Sequence, residues 1–307
     1  MIRMKILLIA RSRGFWTTDI CKQAFPEHLF MSGFPGLLEQ AWTALQGVRR
    51  IALESPDVVL LGTSMKIVPM FAVLRKIGLL RKVKIITDKQ FLRPWVARMI
   101  DANIVYSSGE REQYPAALRH KFVFVPFPSK SELVHTTPAD GAYVFCGGNN
   151  MRDHETFLRA IANLPIRVKV VTDRVLPTPL PANCDVSGHV PLDTYMRLMA
   201  DALFVVVPLE SNALPHGHCD ISSALRLGKI VVSTRRASVD DYIQDGVNGF
   251  LAEPENEASY RAIFERLISD QALYRQLAAH NQEHAREYSY EAFVENLRAV
   301  CKKAMTS

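Results

Sequence analysis

The feature that most constrains this chain is an alternation of short β-branched and aliphatic runs with longer amphipathic stretches. Residues 5–10, 58–62, 83–87, 102–107 and 121–125 are each brief and apolar, and between them lie helical patterns such as residues 37–54. A run that is apolar at every position is buried on both faces, as in a parallel sheet with helices on each side. Right-handed βαβ crossovers then make an α/β fold with a doubly wound parallel sheet. The rhythm breaks after Val125 in a stretch rich in Pro, Ser, Thr and Gly, and restarts with strands at 142–146, 167–172, 202–208 and 229–233 separated by helices at 152–163, 192–200 and 219–227. The pattern predicts two Rossmann-like domains: residues 1–130, a linker at 131–141, and residues 142–285, with a helix at 286–307 returning to the first domain. From Glu257 onward the pattern is purely helical.

Composition agrees with this organisation. A chain of 307 residues, 48% hydrophobic and 22% charged, can fill two cores of about 150 residues each. The net charge of +6 suits phosphate-bearing ligands, an anionic membrane surface or nucleic acid alike, but the basic residues are scattered without an aromatic platform, so nucleic acid is not expected as a partner. Cys21, Cys146, Cys184, Cys219 and Cys301 are odd in number and widely spaced, which indicates neither a disulfide framework nor a zinc knuckle and fits a reducing cytoplasm. The apolar run near the N-terminus is too short for a secretory signal and reads as a first buried strand. No stretch has the length of a membrane-spanning helix.

In open α/β sheets, ligands sit at the carboxyl ends of the strands. One loop there is Gly147-Gly148-Asn-Asn-Met-Arg152-Asp153-His154. It can be a diphosphate cradle, with glycines admitting the ligand, helix amides facing it and Arg152 forking onto a phosphate, or a plain turn in which Asp153 caps a helix. The second is Pro208-Leu-Glu210 through His216-Gly217-His218-Cys219-Asp220-Ile-Ser222-Ser223. It opens another helix, with Gly217 allowing close approach and His218 or Ser222 offering hydrogen bonds. His216, His218 and Cys219 form an incomplete metal-ligand set, so no metal is expected. The absence of G-x-G-x-x-G and of a P-loop counts against dinucleotide and P-loop chemistry. Asp88, at the end of a strand, can orient an acceptor hydroxyl or, like the neighbouring Lys89, serve the leaving group; alternatively it caps a helix. Residues 69–84 combine large apolar and basic side chains and fit either a crossover helix or a peripheral membrane contact.

The stretch from Val207 to Glu253, with His216-Gly217-His218, Ala224-Leu-Arg-Leu-Gly228-Lys229 and Asp241-Tyr-Ile-Gln-Asp-Gly246-Val-Asn-Gly249, resembles the donor-binding domain of family-4 glycosyltransferases of the GT-B fold. The Gly147-Gly148…Arg152-Asp153-His154-Glu155-Thr156 loop is similar to the one that opens that domain. The resemblance implies two Rossmann-like domains facing a cleft, a hexosyltransferase-like enzyme, and a nucleotide-diphosphate sugar as co-substrate. Transfer to a sugar or lipid-linked acceptor would keep the anomeric configuration and need no metal or other cofactor. It implies Arg152 as a donor-phosphate ligand and His216, Gly217 and His218 at the sugar and diphosphate, while Arg13 and Gly14 suit the first domain's phosphate-facing loop. The family's two glutamates are absent: their places hold Pro215 and Ser223, with Glu210 a candidate substitute upstream. That departure leaves a catalytically degenerate binder of nucleotide, glycan or partner as the alternative.

Overall fold

The computed structural model describes residues 4–11, 18–31, 36–62, 67–88, 91–133, 141–210 and 216–306. The chain divides into two units, Met1–Val125 with Tyr290–Ser307, and Pro126–Ser289. The segment Pro126–Leu133 therefore belongs with the second unit, ahead of the expected boundary at residue 130, because Ser129 N–H donates to Tyr288 O and Lys130 N–H to Ser223 Oγ.

In the first unit, strands β1 (Ile6–Arg11), β2 (Glu27–Met31), β3 (Val58–Gly62), β4 (Lys84–Thr87), β5 (Ala102–Val105) and β6 (Phe122–Phe124) form one sheet in the order β2-β1-β3-β4-β5-β6. All pairings are parallel. The connections include α1 (Asp19–Ala24), α2 (Leu37–Glu54), α3 (Ile67–Lys76), α4 (Pro94–Met99) and α5 (Ala116–Arg119). Leu7, Ile9, Val59, Leu61 and Ile85 pack with Ala44, Phe71, Ala72 and Val96 into one core. Helix α2 lies so close to the sheet that a Cβ on Gly47 would meet Ile9 Cδ1 at 2.7 Å and Phe71 Cζ at 3.1 Å. Two elements, α1 and β2, were not expected. One is six residues long, and the other, Glu27-His-Leu-Phe-Met31, is an edge strand whose polar start breaks the apolar signature of a central strand.

The second unit repeats the plan with β7 (Tyr143–Gly147), α6 (His154–Ile161), β8 (Arg167–Val171), β9 (Cys184–Ser187), α7 (Leu192–Ala200), β10 (Phe204–Val207), α8 (His218–Arg226), β11 (Ile230–Thr234) and β12 (Gly249–Ala252). Helices α9 (Glu257–Ser269) and α10 (Gln271–His284) complete it. Its strands, all parallel, run in the order β12-β11-β10-β7-β8-β9. Phe157, Phe204, Tyr260 and Phe264 cluster under α6 and α9, with the Phe157 and Phe264 rings edge to face at 6.1 Å. Helix α10 is pinned by the buried Asn281, whose amide donates to Lys229 O and Asn248 O. Strands β9 and β12 escape the sequence pattern: the first is a partly exposed edge, and the second follows a run of turns. The last helix, α11 (Tyr290–Thr306), groups with the first unit, where Arg298 donates to Ala24 O at 2.8 Å and Phe293 stacks on Tyr106 at 6.4 Å.

Candidate functional site

Strand order locates the site in the second unit. From β7 the chain moves outward to β8 and β9, then returns to the opposite side of β7 with β10, so the connections diverge between β7 and β10. Such a switch point opens a crevice at the carboxyl ends of the strands. The two loops that leave it are the two singled out by their glycines.

Those loops are knitted together by backbone pairing. Arg152 and Leu209 form an antiparallel bridge, Asp153 N–H donates to Pro208 O at 3.1 Å, and Glu210 N–H donates to Met151 O at 3.1 Å. Arg152 is the strut between them. Its Nε donates to Gly147 O at 3.0 Å, Nη1 to Asn150 O at 2.8 Å and Nη2 to Asp220 Oδ2 at 2.5 Å. With its side chain only 4% exposed, it places a cation between the two loops while spending three N–H groups on the protein. Helix α6 begins after it, capped by Asp153, whose side chain accepts from Thr156 N–H at 3.0 Å. Capping by Asp153 and a structural Arg152 coexist in this loop.

The glycines answer to specific neighbours. A Cβ on Gly147 would collide with the hydroxyl of Tyr195, which also hydrogen-bonds Asp220. Gly148 and Gly217 hold φ of +104° and +84°, conformations that side-chain-bearing residues rarely adopt. Gly217 is the N-cap of α8 and has no side chain with which to cap it, so the amides of His218 and Cys219 stand at a positive helix end. A Cβ there would press on Val207 Cγ1 at 3.0 Å and Leu209 Cδ2 at 3.1 Å.

The histidines differ in environment. His218 is buried, stacks on Tyr242 at 4.9 Å and shares a 2.8 Å hydrogen bond with Ser238 O; burial pushes its pKa down to about 4. His154 is held down to about 4 by the same cause, with Nε2 against Gly148 O and Nδ1 against Cys146 Sγ. His216 is half-buried, and its Nε2 is buried without a hydrogen-bond partner among the described residues. Partial burial, then the charges of Arg152 and Arg236, lower its pKa. Ser222 and Ser223 are fully buried and donate back to Cys219 O at 3.3 and 2.6 Å, and Ser223 also accepts from Lys130 N–H. Glu210 pairs with Arg174 at 2.7 Å.

The structure thus brings Gly147, Gly148, Arg152, Glu210, His216, Gly217, His218, Ser222 and Ser223 to one sheet edge. Asp88 lies elsewhere, buried at the end of β4 in the first unit, where it accepts from Tyr106 Oη at 3.0 Å. Arg13, Gly14, Lys89 and Pro215 lie outside the described residues. Sequence reasoning missed Asp220, Arg174 and Tyr195. Arg174 follows β8 and spans both loops, donating to Arg152 O and Glu210 Oε1. Its place after a strand was the available signal. Among the described residues, no three His, Cys, Asp or Glu side chains are grouped to hold a metal ion.

Two Rossmann-like units, each built on a six-stranded parallel sheet, make up the GT-B fold. Residues 147–286, within the second unit, match the family model described as Glycosyl transferases group 1. A curated relative, the uncharacterized glycosyltransferase MJ1178 of Methanocaldococcus jannaschii, is 26% identical over 119 residues, 39% of this chain. That match spans 33% of the relative, about a third of its length. Among solved structures, Anabaena HepE in complex with UDP superposes with a TM-score of 0.72 at 16% identity, over 98% of this chain and all of that one. A glycosyltransferase from Rickettsia africae gives 0.71 at 12% identity over the whole of both chains. Sucrose-phosphate synthase from Thermosynechococcus elongatus gives 0.67 at 13% identity, over 99% of this chain and all of that chain. These structural likenesses establish the GT-B fold.

Proposed function

We propose that this protein is a glycosyltransferase that takes a nucleotide-diphosphate sugar at the β7–β10 switch point of its second unit and transfers the sugar to an acceptor with retention. The observation that carries the proposal is the joined pair of loops that presents the N-terminus of α8, at Gly217, together with Arg152 and Arg174, with the charge of Arg236 felt at His216. As the glycosidic bond to the diphosphate breaks, negative charge grows on the leaving phosphate, and fixed amides and cations aimed there stabilise it without reorganising. Because protein cations can meet that charge, the transfer is proposed to need no obligatory metal. In this reading His216 donates or accepts at a sugar hydroxyl through its unpartnered Nε2, and Arg174 exchanges Glu210 for a phosphate. Arg152 acts mainly by holding the loops in place, and Asp88 serves the acceptor. One protein of this fold, Anabaena HepE, has been solved with UDP, with UDP and glucose, and with UDP-glucose, which makes a UDP-sugar the first donor to test.

One observation favours a second reading, binding without turnover. Ser223, which by the resemblance holds the place of one of the family's two glutamates, is fully buried and engaged by Lys130 N–H and Cys219 O. A thermal-shift screen against UDP-, GDP-, ADP- and TDP-sugars, followed by measurement of nucleotide release and sugar transfer, separates the readings. A ligand that binds the native state raises the midpoint by mass action. A shift with turnover supports the enzyme, a shift without turnover supports the degenerate binder, and no shift with any nucleotide overturns the donor site.

A further inference from the structure

Helix α2 is amphipathic in the wrong sense for a helix that covers a sheet. Its buried side chains are Gln40, Thr43 and Ala44, with Gly47 against the strands. Its outer face carries Leu38, Trp42, Leu45 and Leu53, exposed by 87%, 61%, 59% and 73%. At 100° per residue, positions 38, 42, 45, 49 and 53 fall in one stripe, along about 22 Å of helix. The fifth member of the stripe is the exposed Arg49. A contiguous exposed row of large apolar side chains marks a surface that meets something. Helix α3 packs beside α2, since Phe71 lies against Gly47, and it exposes Val73 by 47%, while Ile77 and Leu79, just past its end, are 65% and 63% exposed.

Charge selects the occupant. Residues 67–86 contain Arg75, Lys76, Arg81, Lys82 and Lys84 and no aspartate or glutamate. Arg75 and Lys84 are engaged by Asp101, whereas Lys76, Arg81 and Lys82 are exposed and, like Arg49, have no carboxylate partner among the described residues. Apolar side chains bordered by such cations match a bilayer, where the apolar face enters the acyl boundary and the cations meet headgroup phosphates. Trp42 suits the interfacial depth, with an apolar body and a polar N–H. A second copy fits worse, because a two-fold interface sets a patch against itself and would bring these cations together. Among the described residues no helix is long and apolar enough to cross a membrane.

We propose that the α2–α3 face of the first unit docks on an anionic lipid bilayer, with Leu38, Trp42, Leu45 and Leu53 inserted and Arg49, Lys76, Arg81 and Lys82 at the headgroups. The proposal extends the basic 69–84 segment to a helix whose role the sequence pattern concealed, and it does not rest on the donor site. The test is co-sedimentation of the full chain, without nucleotide, with vesicles of equal parts phosphatidylglycerol and phosphatidylcholine, and with phosphatidylcholine alone. Binding is expected to the anionic vesicles at low salt, to weaken as salt rises, and to be accompanied by a blue shift of tryptophan emission. Leu38→Ser with Trp42→Ser should lower the partition constant by about tenfold or more while the urea midpoint stays at the wild-type value, since both side chains face solvent. Lys76→Gln, Arg81→Gln and Lys82→Gln should each lower it by roughly fivefold. No sedimentation with anionic vesicles at low salt, or equal sedimentation of all variants, overturns the proposal. So does a wild-type dimer in sedimentation velocity that the Leu38 and Trp42 substitutions dissolve, because the occupant would then be a second copy.

Discussion

Replacing Arg152 by alanine tests the site most directly, and the structure sets the expected magnitude. The guanidinium is almost wholly buried, pairs with Asp220 at 2.5 Å and donates to the carbonyls of Gly147 and Asn150. Arg152→Ala would leave a largely buried carboxylate without its counter-charge and two carbonyls without donors. Removing one partner of a buried ion pair costs roughly 3 to 5 kcal/mol. At roughly 2 to 4 °C per kcal/mol for a domain of this size, the second unit should melt about 6 to 20 °C below wild type. A phosphate ligand on an otherwise independent site would instead lose affinity, by about tenfold to a hundredfold for one charged hydrogen bond, with its melting point unchanged. Urea titration and calorimetric titration with UDP, run on Arg152→Ala, Asp220→Ala and the double variant, distinguish the two. The expected result is strong destabilisation by the first, with partial recovery in the double variant, where the lone buried charge is gone. An Arg152→Ala protein that unfolds at the wild-type urea midpoint would refute the strut and return the residue to a role as ligand alone.

Arg174 should behave in the opposite way: its pair with Glu210 is exposed, so Arg174→Ala should shift the urea midpoint little and weaken UDP binding about tenfold in a calorimetric titration. His216→Ala should lower kcat for sugar transfer with little change in UDP affinity; equal loss of both would mean that the ring only shapes the loop. Gly217→Ala adds strain at a φ of +84° and pushes on Val207 and Leu209, so a loss of about 1 to 3 kcal/mol is expected, read by urea unfolding together with UDP titration. Stability should also depend on pH. His154 and His218 titrate near 6.5 when unfolded and at about 4 when folded, so the unfolded state binds more protons between those values. Their contribution is complete above about pH 6.5 and is lost as the pH falls toward 4, so urea midpoints should drop between pH 7 and pH 5. A His154→Gln, His218→Gln protein should show a shallower drop.

The parallel strands, the crossover helices and the two glycine loops were legible in the sequence because each is a local pattern. A central strand must be apolar at every position, as Val58-Val-Leu-Leu61 is, and a loop that brings backbone close to a neighbour must contain glycine, as Gly147, Gly148 and Gly217 do. The resemblance of the second domain rested on the same loops, and the family match covers residues 147–286. Edge strands such as β2 and β9 were not legible, because one face or one side meets solvent and the apolar constraint relaxes.

Sequence by itself determined the class of fold and the sheet edge to which the two glycine loops belong. Tertiary structure alone decided what each side chain there does. Arg152 reads as a free cation after a glycine pair until Asp220, 68 positions later in the chain, arrives beside it in the fold. Ser223 reads as an available hydroxyl until Lys130 N–H occupies it. The stripe on α2 reads as an ordinary core face until the sheet is seen to take the side of Gly47, leaving Trp42 outside. Periodicity fixes which residues share a face, because it follows from backbone geometry. Which face turns inward, and which charge meets which, depends on contacts between residues far apart in the chain.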